Sequence, residues 1–324
     1  MPQPHLRPTL ASNTALLIGI AVAVFLFTMS LLLGSVTIPP SEIFRLMTGS
    51  APETGAHHTI LWAFRLPKAL TAVMAGASLG VSGLLLQTLF RNPLAGPSVL
   101  GVTSGAGLGV ALVLLGSTLT GASIGGQKLL GLIDSGMELG TVGAAMLGAV
   151  IVLGPILLLS QRVHDIATVL IVGLLASFAV HALVNILLQF AIPERIHSYI
   201  NWSFGSFGTT GFSQLRILTP ITAVALLGAL VLIKPLNALL TGEHYARSLG
   251  IRLRPVQTAI ILTASLPAAA VTAFCGPIAF IGIAVPHLAR GLLRTADHRR
   301  LLPATAVLGA CLALTADLIA QLPG

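Results

Sequence analysis

One stretch limits what the rest of the chain can become: residues 65–109, RLPKALTAVMAGASLGVSGLLLQTLFRNPLAGPSVLGVTSGAGLG. The run 69–90 is apolar over 22 residues, the length of helix that crosses a hydrocarbon core. It ends in Arg91-Asn92-Pro93-Leu94-Ala95-Gly96-Pro97. Proline lacks an amide donor and clashes with the preceding turn, so Pro93 and Pro97 break the helix there. Irregular backbone at membrane depth is tolerated only against protein or a wet cavity. A second apolar run follows at once, with Gly101, Gly105 and Gly109 at every fourth position. That spacing puts small residues on one helix face and lets a second helix come close. The expectation is a polytopic, tightly packed, all-α membrane bundle with an irregular junction.

Composition supports this. Of 324 residues 55% are hydrophobic and 8% charged, against about a quarter charged in a soluble domain. Lipid is the solvent such a surface needs. The net charge of +8 does not point to nucleic acid, because the cations are scattered over short loops with no basic cluster among aromatics. Cys275 and Cys311 both sit in apolar runs and read as small core residues rather than a disulfide or metal pair.

Nine spans are expected, at 15–33, 69–90, 99–116, 141–160, 166–190, 216–233, 256–273, 278–293 and 302–320. The first is long for a cleaved leader and no A-x-A site follows it, so it reads as retained. With the N-terminus inside, eleven of the seventeen Lys and Arg fall on inner segments, giving net charge +8 inside and 0 outside. That is the positive-inside bias, and nine spans then put the C-terminus outside.

Three connections stand out. Residues 41–49, SEIFRLMTG, read as a short interfacial helix with Ile43, Leu46 and Met47 on one face. Residues 193–216 carry boundary aromatics and Gly205, Gly208 and Gly211, which suits a short helix and a turn dipping inward. Residues 234–255, KPLNALLTGEHYARSLGIRLRP, form the longest polar inner segment, with apolar residues at near-helical spacing. Gly242 and Gly250 punctuate it into two short helices. Either these helices fill a groove on a soluble partner or they pack on the chain's own inner face.

The chain carries no energy-coupling chemistry of its own. Residues 121–128, GASIGGQK, look like a phosphate loop, but the lysine comes one place late and Leu129 stands where a hydroxyl would hold Mg²⁺. The candidate groups inside spans are His181, Asn185 and Gln87, with no clearly central carboxylate and Asp317 near the outer end of the last span, whereas an ion-coupled carrier keeps ionisable groups near the midplane. His181 and Asn185 share a helix face and suit interhelical hydrogen bonding better than a proton relay. The remaining histidines have no metal-ligand spacing. No nucleophile–base motif suggests an intramembrane protease. No catalytic or metal site is expected, and the rival to a partner-driven permease is a secondary carrier driven by an ion gradient.

The residues resemble those of the FecCD-type permease subunits of ABC importers for iron–siderophore complexes, haem and cobalamin. The match is spread over most of the chain. It includes Arg65-Leu66-Pro67-Lys68, Asn92-Pro93-Leu94-Ala95 with Pro97, and Trp202 with Gly205-Ser206. Further on come Leu236-Asn237 with Gly242-Glu243, Ala246 with Leu249-Gly250, Gly276-Pro277-Ile278-Ala279-Phe280-Ile281-Gly282, Pro286-His287 with Arg290, Asp297-His298-Arg299, and Ala316-Asp317.

The resemblance implies a single permease domain over residues 1–324, multi-pass in a bacterial inner membrane and without catalytic activity. It implies a homodimer with the substrate path along the interface. Two cytoplasmic ATP-binding subunits would supply ATP and Mg, and a periplasmic binding protein would deliver the chelate. Residues 234–255 would be the coupling segment, with Gly242, Glu243, Ala246, Leu249 and Gly250 in the ATPase groove. Asn92, Pro93, Leu94, Pro97, Trp202 and Gly205 would belong to the path and its helix break. Arg65 and Lys68 match cations that receive acidic residues of the binding protein, the alternative being ordinary helix-end anchoring. Lysine at 68 lacks arginine's bidentate fork, and Gln321 stands where the family has a third cation. Family members usually continue into a tenth span, and the expectation is either that this last helix is absent from the chain or that the sequence is truncated before it.

Overall fold

The computed structural model describes residues 9–34, 36, 38–49, 55–119, 137–163 and 165–321. Helix α1 covers Thr9–Leu32 and α2 Pro40–Met47. Helix α3, Ala56–Thr59, runs through a π-helical turn at Ile60–Arg65 into α4, Leu66–Leu89. A 3-10 turn at Pro97–Leu100 leads to α5, Val102–Leu119. Then come α6, Met137–Arg162, α7, Ile166–Gln189, and α8, Pro193–Ser203, with a 3-10 turn at Phe207–Thr209. They are followed by α9, Phe212–Val231, α10, Ile233–Leu240, α11, Glu243–Ser248, α12, Leu253–Cys275, α13, Ile281–Leu293, and α14, His298–Gln321.

Among the described residues there is no strand. Seven helical stretches are long and apolar enough to cross a membrane, and Val102–Leu115 and Ile281–Leu293 are apolar but shorter. Each of the nine expected spans falls on one of these helices.

Helix α4 is the axis of the fold. Its apolar window is 83% buried, against 11% for α1 and 22% for α7. Helices α9, α12, α13 and α14 pack around it, while α5, α6 and α7 form a neighbouring group joined to it through α12. The glycines explain how the helices come so close. Gly76 on α4 and Gly309 on α14 meet backbone to backbone, and a Cβ on either would collide with the other's carbonyl. A Cβ on Gly105 would sit 2.5 Å from the carbonyl oxygen of Gly148 on α6, and Gly109 abuts Ala144 in the same way. Gly101 ends the 3-10 turn with φ +73° just before α5 and still faces α6, since a Cβ there would lie 2.6 Å from Val152.

Local chemistry fixes the element ends. Pro40 and Pro193 open α2 and α8, where a missing amide costs nothing. Asp165 caps α7 by accepting from the Ala167 amide at 3.0 Å. On α2, Ile43 and Leu46 are buried as the pattern requires, but Met47 faces outward at 51% exposure. His181 and Asn185 lie on the exposed face of α7 rather than against another helix. Cys275 and Cys311 are free and buried. The loop-like segment 121–128 and the chain end 322–324 lie outside the described residues.

Candidate functional site

At one end of α4 the π-helical turn presents Arg65 inward, where it is 8% exposed. Its Nη1 donates to the carbonyls of Leu31 at 2.8 Å and Leu32 at 3.1 Å, and its Nη2 donates to Val36. Leu31 and Leu32 carry carbonyls at the C-terminal end of α1, where a cation is electrostatically favoured, and Val36 lies just beyond it. Arg65 is therefore occupied as a helix-end anchor. Lys68, one turn on, is about a quarter exposed and places Nζ 3.0 Å from Oδ1 of buried Asp317 on α14. Gln321 donates to the other carboxylate oxygen at 2.7 Å. The glutamine at the third-cation position thus works on the carboxylate that Lys68 neutralises.

The Lys68–Asp317 pair stands at the rim of an open cleft of about 440 Å³, lined also by Phe204, Gly205, Pro277 and Ile278. Gly205 has φ +69°, and a Cβ there would lie 2.7 Å from the Pro277 carbonyl oxygen, so only glycine fits this contact. Beside it the Ser206 amide donates to the Cys275 carbonyl at 2.7 Å. From there residues 276–280 run without helix to Phe280, which caps α13. Phe280 has φ +66° and is 78% exposed. A large side chain in that backbone region is strained, and such strain concentrates at functional positions.

The same segment lines a second cleft of about 230 Å³ with Leu79, Pro97, Ser98, Thr103 and Thr272. Proline 97 and the helix break therefore share one wall with the Lys68 cleft. Trp202 stands behind that wall, stacked on Tyr199 at 6.0 Å and lining a separate cavity with Thr209 and Gln214. Asn92 bonds the Leu94 amide at 2.9 Å and holds the break as a tight turn, leaving Pro93 and Leu94 exposed.

At the other end of α4, consecutive polar residues reach three different elements. Gln87 donates to the Ile283 carbonyl at 3.2 Å and accepts from Arg290 on α13. Thr88 meets His298 Nε2 at 2.8 Å. Arg91 donates to the Leu239 carbonyl of α10 at 3.3 Å. Asn237 of α10 accepts at Oδ1 from the His298 amide at 2.9 Å and from Nδ1 at 2.7 Å, and donates to Asp297 Oδ1 at 2.7 Å. Burial raises the Asp297 pKa, but the Arg299 amide, the Asn237 amide and the Arg299 and Arg300 charges outweigh it and hold the carboxyl below its usual value.

Residues 234–255 fold as the expected pair of short helices, α10 and α11, with Gly242 at φ +121° and Gly250 at φ +81° as the punctuation. The expected packing on the chain's own inner face is seen for part of the segment. Leu236, Leu239 and Ala246 pack inward, while Tyr245 and Leu249 are 52% and 57% exposed. Glu243 opens α11 and is partly covered.

The contacts sort the charged residues into two groups. Arg65, Lys68 and Asp317 meet at the N-terminal end of α4, and Arg91, Arg290 and Asp297 cluster at its C-terminal end with α10. This is the division made from loop charges. The sequence places Asp317 on the outer side, His298 among dispersed histidines and Gln87 among the midplane candidates, but it does not show their long-range partners. Lys68, Thr88 and Ile283 each lie more than 190 residues from the group they meet.

A model of the FecCD transport family matches residues 21–323. The chain is 34% identical over 280 residues to the hemin transport system permease protein HmuU of Yersinia pestis, covering 86% of this chain and 79% of the relative. It is 32% identical over 294 residues to the vitamin B12 import system permease protein BtuC of Klebsiella pneumoniae, covering 90% and 81%. It is 32% identical over 296 residues to the ferric enterobactin transport system permease protein FepG of Escherichia coli, covering 89% and 81%. A solved inward-facing conformation of a metal-chelate type ABC transporter superposes with TM-score 0.79 at 28% identity, covering 96% of this chain and 92% of that one.

Proposed function

This chain belongs to the FecCD transport family, and from that premise we propose that it is the permease subunit of an ATP-driven importer of an iron chelate. It is a multi-pass membrane protein with the helical fold of an ABC permease. The cargo in this reading is a ferric siderophore or haem, with cobalamin the next choice, carried from periplasm to cytoplasm through a bacterial inner membrane. Residues 1–324 act as one permease domain, paired with a second copy.

The observation that carries the reading is the α10–α11 pair. Its inner face is packed on the bundle, yet Tyr245 and Leu249 are held outward at the end where the inner charges collect. Two exposed apolar side chains on a rigid, cytosolic hairpin suit a groove on a soluble partner. Gly242 and Gly250 set the turns, Ala246 seats α11, and Glu243 and Leu249 face the ATPase. ATP and Mg belong to that partner. On the outer side Lys68 receives the binding protein, with Arg65 fixing the backbone beneath it. The wall shared by Pro97, Gly205 and residues 276–280 lines the path, with Asn92, Pro93 and Leu94 shaping its inner end and Trp202 supporting it from behind.

The test is reconstitution. Purified with its ATPase subunits, placed in liposomes and supplied with loaded binding protein, the chain takes up chelate only with hydrolysable ATP. Replacement of residues 243–249 by Gly/Ser abolishes both uptake and ATPase co-purification. Full-rate uptake without ATP, driven by an ion gradient, would overturn the reading.

A further inference from the structure

Helices α4 and α14 are fastened to each other at three levels. At the outer level Lys68 and Asp317 close the pair at 3.0 Å. In the middle Gly76 and Gly309 meet backbone to backbone, and a Cβ on Gly80 would lie 3.1 Å from the Thr305 carbonyl oxygen. At the inner level Thr88 meets His298 at 2.8 Å. Interiors packed at this density displace as units rather than compress.

The inner fastening has an added feature. The first amides of a helix have no intrahelical acceptor. In α14 the His298 amide is served from a different element, by Asn237 of α10, and the same oxygen takes His298 Nδ1. His298 is fully buried. If α10 moved alone, two donors of a buried residue would lose their acceptor, and an unmet buried donor is costly. The less costly motion is for α14 to follow.

Thr88 supplies the joint. Its hydroxyl has one proton and two acceptors in reach, the Leu84 carbonyl at 2.8 Å and His298 Nε2 at 2.8 Å. Because His298 Nδ1 donates to Asn237, Nε2 is the acceptor for the Thr88 hydroxyl. Release would leave that buried nitrogen without its donor, so the contact holds α4 to α14.

We propose that α4 and α14 act as one lever, and that Asn237, His298 and Thr88 are the positioning residues through which movement of α10 reaches the Lys68–Asp317 end. The lever is the 24 residues of α14, about 36 Å at the helical rise. It links the ATPase side to the docking side. This deepens the importer reading and rests on it. It predicts that a loaded binding protein outside and the nucleotide cycle inside are coupled through this contact.

The experiment uses the full complex in liposomes, with hemin, ferric enterobactin and cobalamin each offered to the wild type and the one taken up used thereafter. The readout is the stimulation of ATP hydrolysis by loaded binding protein, compared with basal hydrolysis and with chelate moved per ATP. Thr88→Val keeps shape and volume. It is expected to leave ATPase co-purification and basal hydrolysis within about twofold of wild type, while stimulation falls by about fivefold or more and chelate per ATP falls with it. His298→Leu behaves likewise, and His298→Gln, whose amide both donates and accepts, retains about half of the stimulation.

The lever is overturned if stimulation survives in Thr88→Val and His298→Leu. It is also overturned if basal and stimulated rates fall in equal proportion, the mark of a merely structural contact. Should His298→Leu fail to fold, the isosteric Thr88→Val decides alone. A wild-type complex with no ATP-dependent uptake sinks the importer reading instead, so the two failures are distinct.

Discussion

Lys68 near the start of α4 and Asp317 near the end of α14 form an ion pair at 3.0 Å, with the carboxylate only 5% exposed. They stand 249 positions apart in the chain and one turn from Arg65. Arg65 and Lys68 belong to a single four-residue motif, yet the structure gives them opposite employment.

That contrast makes the first prediction. Arg65→Gln removes donors to the carbonyls at the end of α1 and lowers the thermal midpoint in detergent, leaving the salt dependence of binding-protein affinity as it was. Lys68→Glu does the reverse at the docking face: affinity falls at low ionic strength, and the difference from wild type shrinks as salt rises. Affinity titrations at two salt concentrations separate them. Equal affinity of Lys68→Glu and wild type at low salt removes Lys68 from docking.

Lys68→Met tests the pair itself. Taking one partner from a buried ion pair costs about 3–5 kcal/mol, because the other charge is left uncompensated, whereas an apolar pair of similar volume is near neutral. Partial exposure of Lys68 places the expected loss at the lower end. Lys68→Met with Asp317→Leu recovers most of the midpoint lost by Lys68→Met alone. The measurement is thermal unfolding of the two variants side by side.

Gly309→Val drives a side chain into the backbone of Gly76, which has no flexible end to yield. Overpacking of about 1–3 kcal/mol or more is expected, seen as loss of monodisperse protein on size exclusion. Gly143→Ala is the control, since nothing lies within 4 Å of a Cβ there. Equal yields of the two would contradict the close packing of α4 and α14.

The carboxyl of Asp297 is held below its usual pKa despite the opposing effect of burial, by the Arg299 and Asn237 hydrogen bonds and the neighbouring arginines. A depressed folded-state pKa stabilises fully above the unfolded carboxylate range and is lost as pH falls through the folded value. Thermal midpoints from about pH 7 down to about pH 3 therefore decline for wild type. Asp297→Asn starts lower and declines less. Parallel curves would show that this carboxylate carries none of the dependence.

Tyr245→Ser with Leu249→Ser alters two side chains that do not pack in this chain. The thermal midpoint stays put while the ATPase subunits are lost from the purified complex. Retention of those subunits would move the contact elsewhere.

Much of the bundle was legible in the sequence because lipid imposes a length and an apolarity that any reader can count. The break at Pro93 and Pro97, the short α8, and the α10–α11 pair with its glycine punctuation were legible for the same kind of reason, since proline and glycine act locally. What escaped was decided by partners far along the chain. No local signal shows that Arg65 turns in to carbonyls of α1, that Asp317 is taken by Lys68, or that Asn237 caps α14. The spacing of Gly101 gave its contact with α6 but not its positive φ, which is set by the 3-10 turn it ends. Met47 has the right period for the buried face of α2, but it is the last residue of that helix and is half exposed.

Helix α13 starts late, after the unwound stretch 276–280, and this bears on cargo. The inner of the two clefts beside that stretch is bounded by Leu79, Pro97, Ser98, Thr103, Thr272 and neighbouring small or apolar residues, with no ionisable group in its lining. Such a surface grips nothing by charge and offers width rather than chemistry. In the importer proposed above, a path lined in this way leaves discrimination to the binding protein, so exchanging that protein is expected to change what is swallowed.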